Sequence, residues 1–179
     1  KYNNVHIVWE SFYYLPGAPD DTTSDLYYTN NIGGSFAPPV KINVPTGWYS
    51  QFPSIALDSQ GHAHITFWRR NDQIFVLAND DIYYVTNANG NFSNPVLVAD
   101  GGMGSTICGP RKPIINCDSQ DNAHIIFMSD LWEDIGNFYL LYLNNMGGAW
   151  SKSYEIATKG KFITDYNACL DAHGYMHVA

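Results

Sequence analysis

The sequence predicts an all-β protein, and three observations carry that prediction. A strand-like apolar stretch bearing one histidine recurs as NNVHIVW (Asn3 to Trp9), GHAHITFW (Gly61 to Trp68), DNAHIIFM (Asp121 to Met128) and GYMHVA (Gly174 to Ala179). Its histidines, His6, His64, His124 and His177, stand at near-regular intervals of 58, 60 and 53 residues. Aromatic residues make up 15% of the chain, which suits pleated surfaces, and no run has a heptad or helical period.

Residues Pro53 to Ala99 form one complete unit of the repeat. Its leading strand, Ser54-Ile55-Ala56-Leu57-Asp58, has counterparts in Ile114-Ile115-Asn116-Cys117-Asp118 and Asn167-Ala168-Cys169-Leu170-Asp171. The turn Asp58-Ser59-Gln60-Gly61, repeated as Asp171-Ala172-His173-Gly174, places Asp first and Gly fourth, as a type I turn closed by a positive-φ residue requires. In Asp118-Ser119-Gln120-Asp121 the fourth residue is Asp121, which must then enter the left-handed region. With such a turn His64 falls opposite Ala56, His124 opposite Asn116 and His177 opposite Cys169. The third strand recurs as Asp25-Leu26-Tyr27-Tyr28, Asp81-Ile82-Tyr83-Tyr84 and Leu140-Leu141-Tyr142. An Asn- and Gly-rich turn and an aromatic residue (Phe36, Phe92, Trp150) follow each time. The fourth strand is short: Val40 to Val44, Pro95 to Ala99 and Tyr154 to Ala157.

Four antiparallel strands repeated along a chain are the pattern of β-propeller blades. The expected division is a partial blade at 1–47, full blades at 48–107 and 108–160, and a partial blade at 161–179. That is about three and a half blades, where closed propellers hold roughly four to eight. The pattern begins inside one strand and stops inside another, with no Met start and no signal peptide. A segment of a larger propeller is therefore expected, its remaining blades supplied by the same chain or by a partner chain.

The formal charge of −8, with only nine Lys plus Arg, argues against nucleic acid and against an anionic membrane surface. No apolar run approaches the roughly 20 residues that span a bilayer. Three cysteines make a disulfide framework unexpected. Cys117 and Cys169 read as small buried hydrophobes, and a Cys108–Cys117 bridge is left open.

The turns between third and fourth strands resemble the Asp-box of sialidase-type propellers, Ser-x-Asp-x-Gly-x-Thr-Trp. Thr29 to Phe36 fits that frame with Asn31 for Asp and Phe36 for Trp, Leu143 to Trp150 keeps Asn145, Gly147 and Trp150, and Val85 to Phe92 carries Asn89 at the Gly position. The leading hairpins are similar to Asp-x-x-Gly-x-x-His hairpins of secreted bacterial propellers. The resemblance implies a fold, with Asp-boxes remote from the active face, rather than an activity. It implies an arginine triad for sialidase chemistry, yet the chain holds three arginines in all, Arg69, Arg70 and Arg111, none in a recognisable motif.

Candidate sites follow from what the repeat does not share. The strand histidines recur once per blade and so sit apart, where they cannot converge on one ion; they read as structural, as do Asp58, Asp118, Asp171, Asp25 and Asp81. Propeller polysaccharide lyases use a strand-borne His as base, which keeps a catalytic reading open. The connections Glu10 to Ser24, Arg69 to Asp80 and Ser129 to Gly136 are expected to share one face with Pro45 to Phe52, Asp100 to Lys112 and Thr158 to Tyr166. Irregular loops on a rigid scaffold are where sites are built. This face carries Trp48, Tyr49, Arg69, Arg70, Arg111, Lys112, Trp132, Glu133 and Tyr166 as candidate ligand-binding residues. Aromatic planes beside forked cationic donors suit sugars and their carboxylates. No cofactor is expected; Asp20-Asp21 and Asp80-Asp81 offer oxygens of the kind Ca²⁺ takes, without an EF-hand spacing. Asn91-Phe92-Ser93 is a glycosylation sequon. The function expected is a non-catalytic, secreted or surface module (extracellular, cell-surface or periplasmic) that binds glycan or protein. The alternative is a polysaccharide-active enzyme, a hydrolase such as sialidase or a lyase, whose site further blades complete.

Overall fold

The computed structural model describes residues 4–15, 18–42, 44–45, 49–70, 80–101, 107–131, 134–160, 163 and 165–179. The side chains of residues 15, 18–22, 70, 107–108, 134–136 and 158–160 lie outside that description. The described residues are all-β: β1 (His6–Leu15), β2 (Ala18–Asn30), β3 (Val40–Lys41), β4 (Tyr49–Leu57), β5 (Ala63–Arg70), β6 (Asp81–Thr86), β7 (Val96–Asp100), β8 (Ile107–Cys117), β9 (Ala123–Leu131), β10 (Asp134–Asn144), β11 (Tyr154–Gly160), β12 (Ala168–Leu170) and β13 (Met176–Val178).

Strands β4 to β7 and β8 to β11 each form a four-stranded antiparallel meander, and β12 pairs with β13. Strands β1, β2 and β3 make a three-stranded group, joined to β4 by one parallel bridge between Ser24 and Tyr49. The chain is a β-propeller segment of about three and a half blades. The register agrees with the turn chemistry: Ala56 faces His64, Asn116 faces His124 and Cys169 faces His177. Each turn is built by one carboxylate. Asp58 Oδ1 accepts from the Gln60 and His62 amides, and Asp118 Oδ1 from Gln120 and Asn122, all at 2.8–2.9 Å. Asp171 repeats this with the amides of His173 and Tyr175. Asp121 takes φ 64° where Gly61 and Gly174 take 84° and 83°. Its carboxylate reaches back to the preceding blade, accepting from the Ser59 amide (2.6 Å) and hydroxyl (2.8 Å).

The core lies between consecutive sheets. Along β9, Ile125 and Phe127 face the preceding sheet, packing with Trp68, Ile82 and Tyr84, while Ile126 and Met128 face the following one with Tyr166 and Ala168. A strand buried on both faces needs apolar residues at every position, which is why this stretch shows no alternation. Between the first two sheets, Leu26, Tyr28 and Ile42 pack on Ala63, Ile65 and Phe67. Burying one such side chain contributes about 2–3 kcal/mol.

Several expectations are corrected. The described residues of Glu10 to Ser24 and Ser129 to Gly136 lie in strands: β1 and β2 pair out to Tyr14 with Thr22, and Leu131 pairs with Asp134. The aromatic and β-branched residues Phe12, Tyr13, Tyr14, Thr22 and Thr23 favour strand there. Asp25 consequently lies within β2 rather than at its start. The fourth strand at Val40 shrinks to two residues plus one further bond from Ile42 N to Leu26 O. Cys169 is exposed rather than buried, on the β12–β13 hairpin, and Cys117 is a free thiol, so it forms no bridge to Cys108. Burial and the carboxylates of Asp58, Asp121 and Asp118 push the Cys117 thiol up to about 12, which leaves it unreactive.

Candidate functional site

The two ends of the segment differ in what they repeat. At the turn end, histidines are tied into short relays. His64 Nδ1 accepts from the Tyr84 hydroxyl at 2.6 Å and its Nε2 lies 3.4 Å from Asp58 Oδ2. His124 does the same with Tyr142 (2.5 Å) and Asp118 (3.1 Å), and His6 meets Tyr28 at 2.7 Å. A carboxylate only accepts, so Nε2 carries the proton and Nδ1 takes the tyrosine's. Both ring nitrogens of His64 and His124 are thus engaged, each His is 6% exposed, and the arrangement recurs. These histidines build blades.

The opposite end carries the side chains that do not repeat. Its geometry starts from two bulges. Phe52 and Lys112 occupy equivalent places in the leading strands β4 and β8, each before a proline, and both have φ 49°. The register with β5 and β9 slips at those points. A non-glycine residue in the left-handed region persists only where its surroundings hold it. The Phe52 amide donates to Glu10 Oε2 at 2.9 Å, and the Lys112 carbonyl accepts from the Tyr166 hydroxyl.

Between them sits a cluster from β5, β6, β7 and β8. Arg69 donates to the Tyr83 hydroxyl (3.3 Å), stands 3.7 Å from Asp81 Oδ2 and lies 5.9 Å from the Tyr83 ring centre. Asp81 pairs across the sheet with Asp100 and accepts from the Gly101 amide at 3.3 Å. Gly101 is required: a Cβ there would lie 2.2 Å from the Asp80 carbonyl and 2.5 Å from Pro110 Cδ. On the far side of that contact Arg111 donates through Nε to the Gly109 carbonyl (3.1 Å) and lays its guanidinium 5.0 Å from the Phe138 ring centre.

Burial raises the Asp81 carboxyl to about 6, against the lowering effects of the Gly101 amide and Arg69 and with help from Asp100 and Asp80. Burial also raises Glu10. A carboxyl poised near neutral pH exchanges protons readily, and such perturbed groups cluster at functional sites.

The predicted residues are distributed as follows. Arg69 and Arg111 join the cluster around Asp80, Asp81 and Gly101. Lys112 lies beside it, with Nζ 3.9 Å from Asp165. Tyr49 is at the other side of Arg69, its ring 5.6 Å from Phe12. Arg70 pairs through its backbone with Tyr49, and its side chain is outside the description. Trp48, Trp132 and Glu133 lie outside the described residues. Tyr166 points inward: 9% exposed, its hydroxyl donates to the carbonyls of Lys112 and Ile126, so it supports the wall instead of lining it. The sequence reads Asp81 as a structural carboxylate or, with Asp80, as a source of Ca²⁺ oxygens, and singles out neither Glu10 nor Phe138. The available signals were Asp80-Asp81 beside Asp100-Gly101 and the paired dipeptides Phe52-Pro53 and Lys112-Pro113. Among the described residues no three His, Cys, Asp or Glu side chains gather as metal ligands; the side chains of Asp20 and Asp21 fall outside. No helix of the described residues is long and apolar enough to cross a membrane.

A propeller segment with a mixed-charge, aromatic rim at one end is the class these features define. No protein-family model and no curated protein matches the sequence. Among solved structures the chain is similar to the endo-arabinase from Bacteroides thetaiotaomicron, with a TM-score of 0.57 at 15% identity over 96% of this chain and 64% of that one. It is similar to a Hadza microbial sialidase, at 0.52 and 9% identity over 73% and 32%. The third is a polysaccharide lyase, an ulvan lyase bound to -[GlcA(1-4)Rha3S]-, at 0.52 and 11% identity over 81% and 40%. At these identities the likeness is one of fold, and the chain spans between about a third and two thirds of their lengths.

Proposed function

We propose that the protein is a module of a secreted, cell-surface or periplasmic protein that binds glycan through the end face carrying Arg69, Asp81 and Arg111. The observation that carries this reading is the packing of two guanidinium groups on aromatic rings, Arg69 at Tyr83 and Arg111 at Phe138, beside the carboxyl of Asp81. Guanidinium forks grip hydroxyls and carboxylates, and the rings beneath hold them in place. The fold likeness to proteins that act on glycans supports the same substrate class. So does reading the three turns at Asn31, Asn87 and Asn145 as degenerate Asp-boxes. The test is a glycan array and titration with neutral and uronate-bearing polysaccharides, using residues 1–179. Binding is expected, weakened at least tenfold by Arg111→Ala with an unchanged melting temperature. Absence of binding to every glycan, with a protein ligand captured instead, overturns the sugar reading.

A second reading, a polysaccharide hydrolase or lyase whose site further blades complete, draws on Asp81 alone, since a carboxyl near pKa 6 suits proton transfer. Reducing-end and unsaturated-uronate assays decide it. Turnover that disappears with Asp81→Asn supports it, and glycan binding without turnover by the complete propeller removes it.

A further inference from the structure

The β1–β2 hairpin carries an aromatic surface beside the Arg69 cluster. Alternate residues of a strand point to one side, so Val8, Glu10, Phe12 and Tyr14 share a face of β1, which stays in register with β2 out to Tyr14. Three contacts identify that face as the one turned to β4 and β5. Val8 packs against the core of Leu26, Ile65 and Phe67. Glu10 accepts from the Phe52 amide at 2.9 Å. The Phe12 ring lies 5.6 Å from the Tyr49 ring, tilted by 51°. Tyr14 continues the row beyond them. Phe12 is 47% exposed and Tyr14 69%, whereas the exposed Val5 and Ile7 belong to the opposite face of the strand.

The register ties this row to Arg69. Phe12 stands opposite Ser24, and Ser50 stands opposite Arg69. Between the two pairs the Ser24 hydroxyl accepts from the Ser50 amide at 2.7 Å and donates to the Ser50 carbonyl at 2.5 Å. Both serines are buried, so the junction is packed and the rings stand on a firm base. The row therefore has a carboxyl that can accept at Glu10 and a guanidinium that only donates at Arg69. Rings this exposed add little to the core, and an apolar patch edged by polar groups is the mark of a ligand groove. A sugar ring has the matching form, with C–H groups on its face and hydroxyls around its edge. An aromatic side chain can cover that apolar face while its surroundings stay wet.

We propose that Phe12 and Tyr14 are stacking subsites for separate sugars of one polysaccharide chain, which runs along β1 with Glu10 and Arg69 beside it to meet its hydroxyls. The inference rests on the glycan reading above and adds the ligand class: a chain of pyranose rings with apolar faces, held along its length rather than at one charged end. Two side chains on the same face of a strand stand about 7 Å apart. A polymer therefore spans both rings, and a monosaccharide covers one.

The probes are xylan and polygalacturonate, each as the polymer and as its monosaccharide, titrated into residues 1–179. Saturable binding of at least one polymer is expected, with its monosaccharide at least tenfold weaker. Phe12→Ala and Tyr14→Ala each weaken polymer binding at least tenfold, the second with an unchanged melting temperature. Tyr14→Phe keeps the affinity, because the ring and not the hydroxyl is used. Tyr175→Ala, at an equally exposed tyrosine of the turn end, leaves it unchanged. Polymer binding that Arg111→Ala weakens and Tyr14→Ala does not overturns this inference and leaves the glycan reading standing. A monosaccharide that binds as tightly as its polymer does the same, as does failure of both polymers when the array returns another glycan. Absence of binding to every glycan removes both.

Discussion

Replacing Asp81 with asparagine measures the cost of holding a carboxylate in the inter-blade cluster. Its side chain is 12% exposed, with the Gly101 amide at 3.3 Å and Arg69 at 3.7 Å as partners. Burial outweighs both and lifts the carboxyl from 3.8 to about 6. The folded state therefore holds the proton more tightly than the unfolded chain. Stability falls as pH rises from about 4 through about 6, and the penalty is complete above that window. The gap between the two values corresponds to about 3 kcal/mol as an upper figure, or about 6–12 °C in melting temperature for a chain of this size. The side-chain amide oxygen that Asp81→Asn introduces would still accept from Gly101 while losing only the partly screened attraction of Arg69, about 1 kcal/mol. Urea unfolding of both proteins between pH 4 and pH 7 reads the difference directly. The variant is expected to gain on the wild type by about 2–3 kcal/mol across that range and to be the more stable at pH 7. Parallel pH profiles would refute the argument, because other titrating groups cancel between the two proteins.

Asp118 has the opposite sign. Amide and side-chain hydrogen bonds hold its carboxyl down to about 2 despite its burial, so its contribution of about 2 kcal/mol is present above pH 4 and lost as pH falls toward 2. The Asp118→Asn variant should be less stable at pH 7 by that amount, with the gap closing in acid unfolding. Trp150→Ala removes the ring that packs edge-on against Tyr84 at 5.0 Å and is expected to cost about 2–3 kcal/mol, less than a fully buried tryptophan; Trp150→Phe should recover most of it in denaturant titrations, as Phe92 serves against Tyr28 at the equivalent place. At Asp121, with φ 64°, both Asp121→Ala and Asp121→Gly lose the Ser59 contacts, but glycine also relieves the backbone. The glycine variant should be the more stable of the two by about 1 kcal/mol in thermal unfolding.

The blades were legible because their signals are local and repeated. Asp58, Asp118 and Asp171 each announce a turn whose register then fixes the facing pairs, and the run from His124 to Met128 is apolar because both faces are covered. The end face was harder. Arg69 and Arg111 stood out as exceptions to the repeat, but their partners Asp81 and Phe138 come from other strands, β6 and β10. Asp81 looked like any strand-opening carboxylate; its altered proton affinity arises from a burial that only the stacked sheets create. Tyr166 had the composition of a ligand-facing residue, yet its neighbours Ile126 and Lys112 offered two carbonyls to its hydroxyl from within. The hairpin extensions at Tyr14 and Leu131 show strand propensity prevailing where the repeat ended.

The carboxylate of Asp121 grasping Ser59 is a polar link from one group of strands to the next, as are the Ile115 amide with Ser54, the Phe52 amide with Glu10 and the Tyr166 hydroxyl with the Lys112 carbonyl. Each such link joins nearest neighbours in the series. A chain coupled in this way melts as a one-dimensional array, where an inner member has two neighbours to hold it and an outer member has one. Hydrogen exchange should accordingly run as a gradient, slowest in β5 and β9 and fastest in β12 and β13. Cutting the Asp121 tie should then lower the cooperativity of unfolding as well as its midpoint.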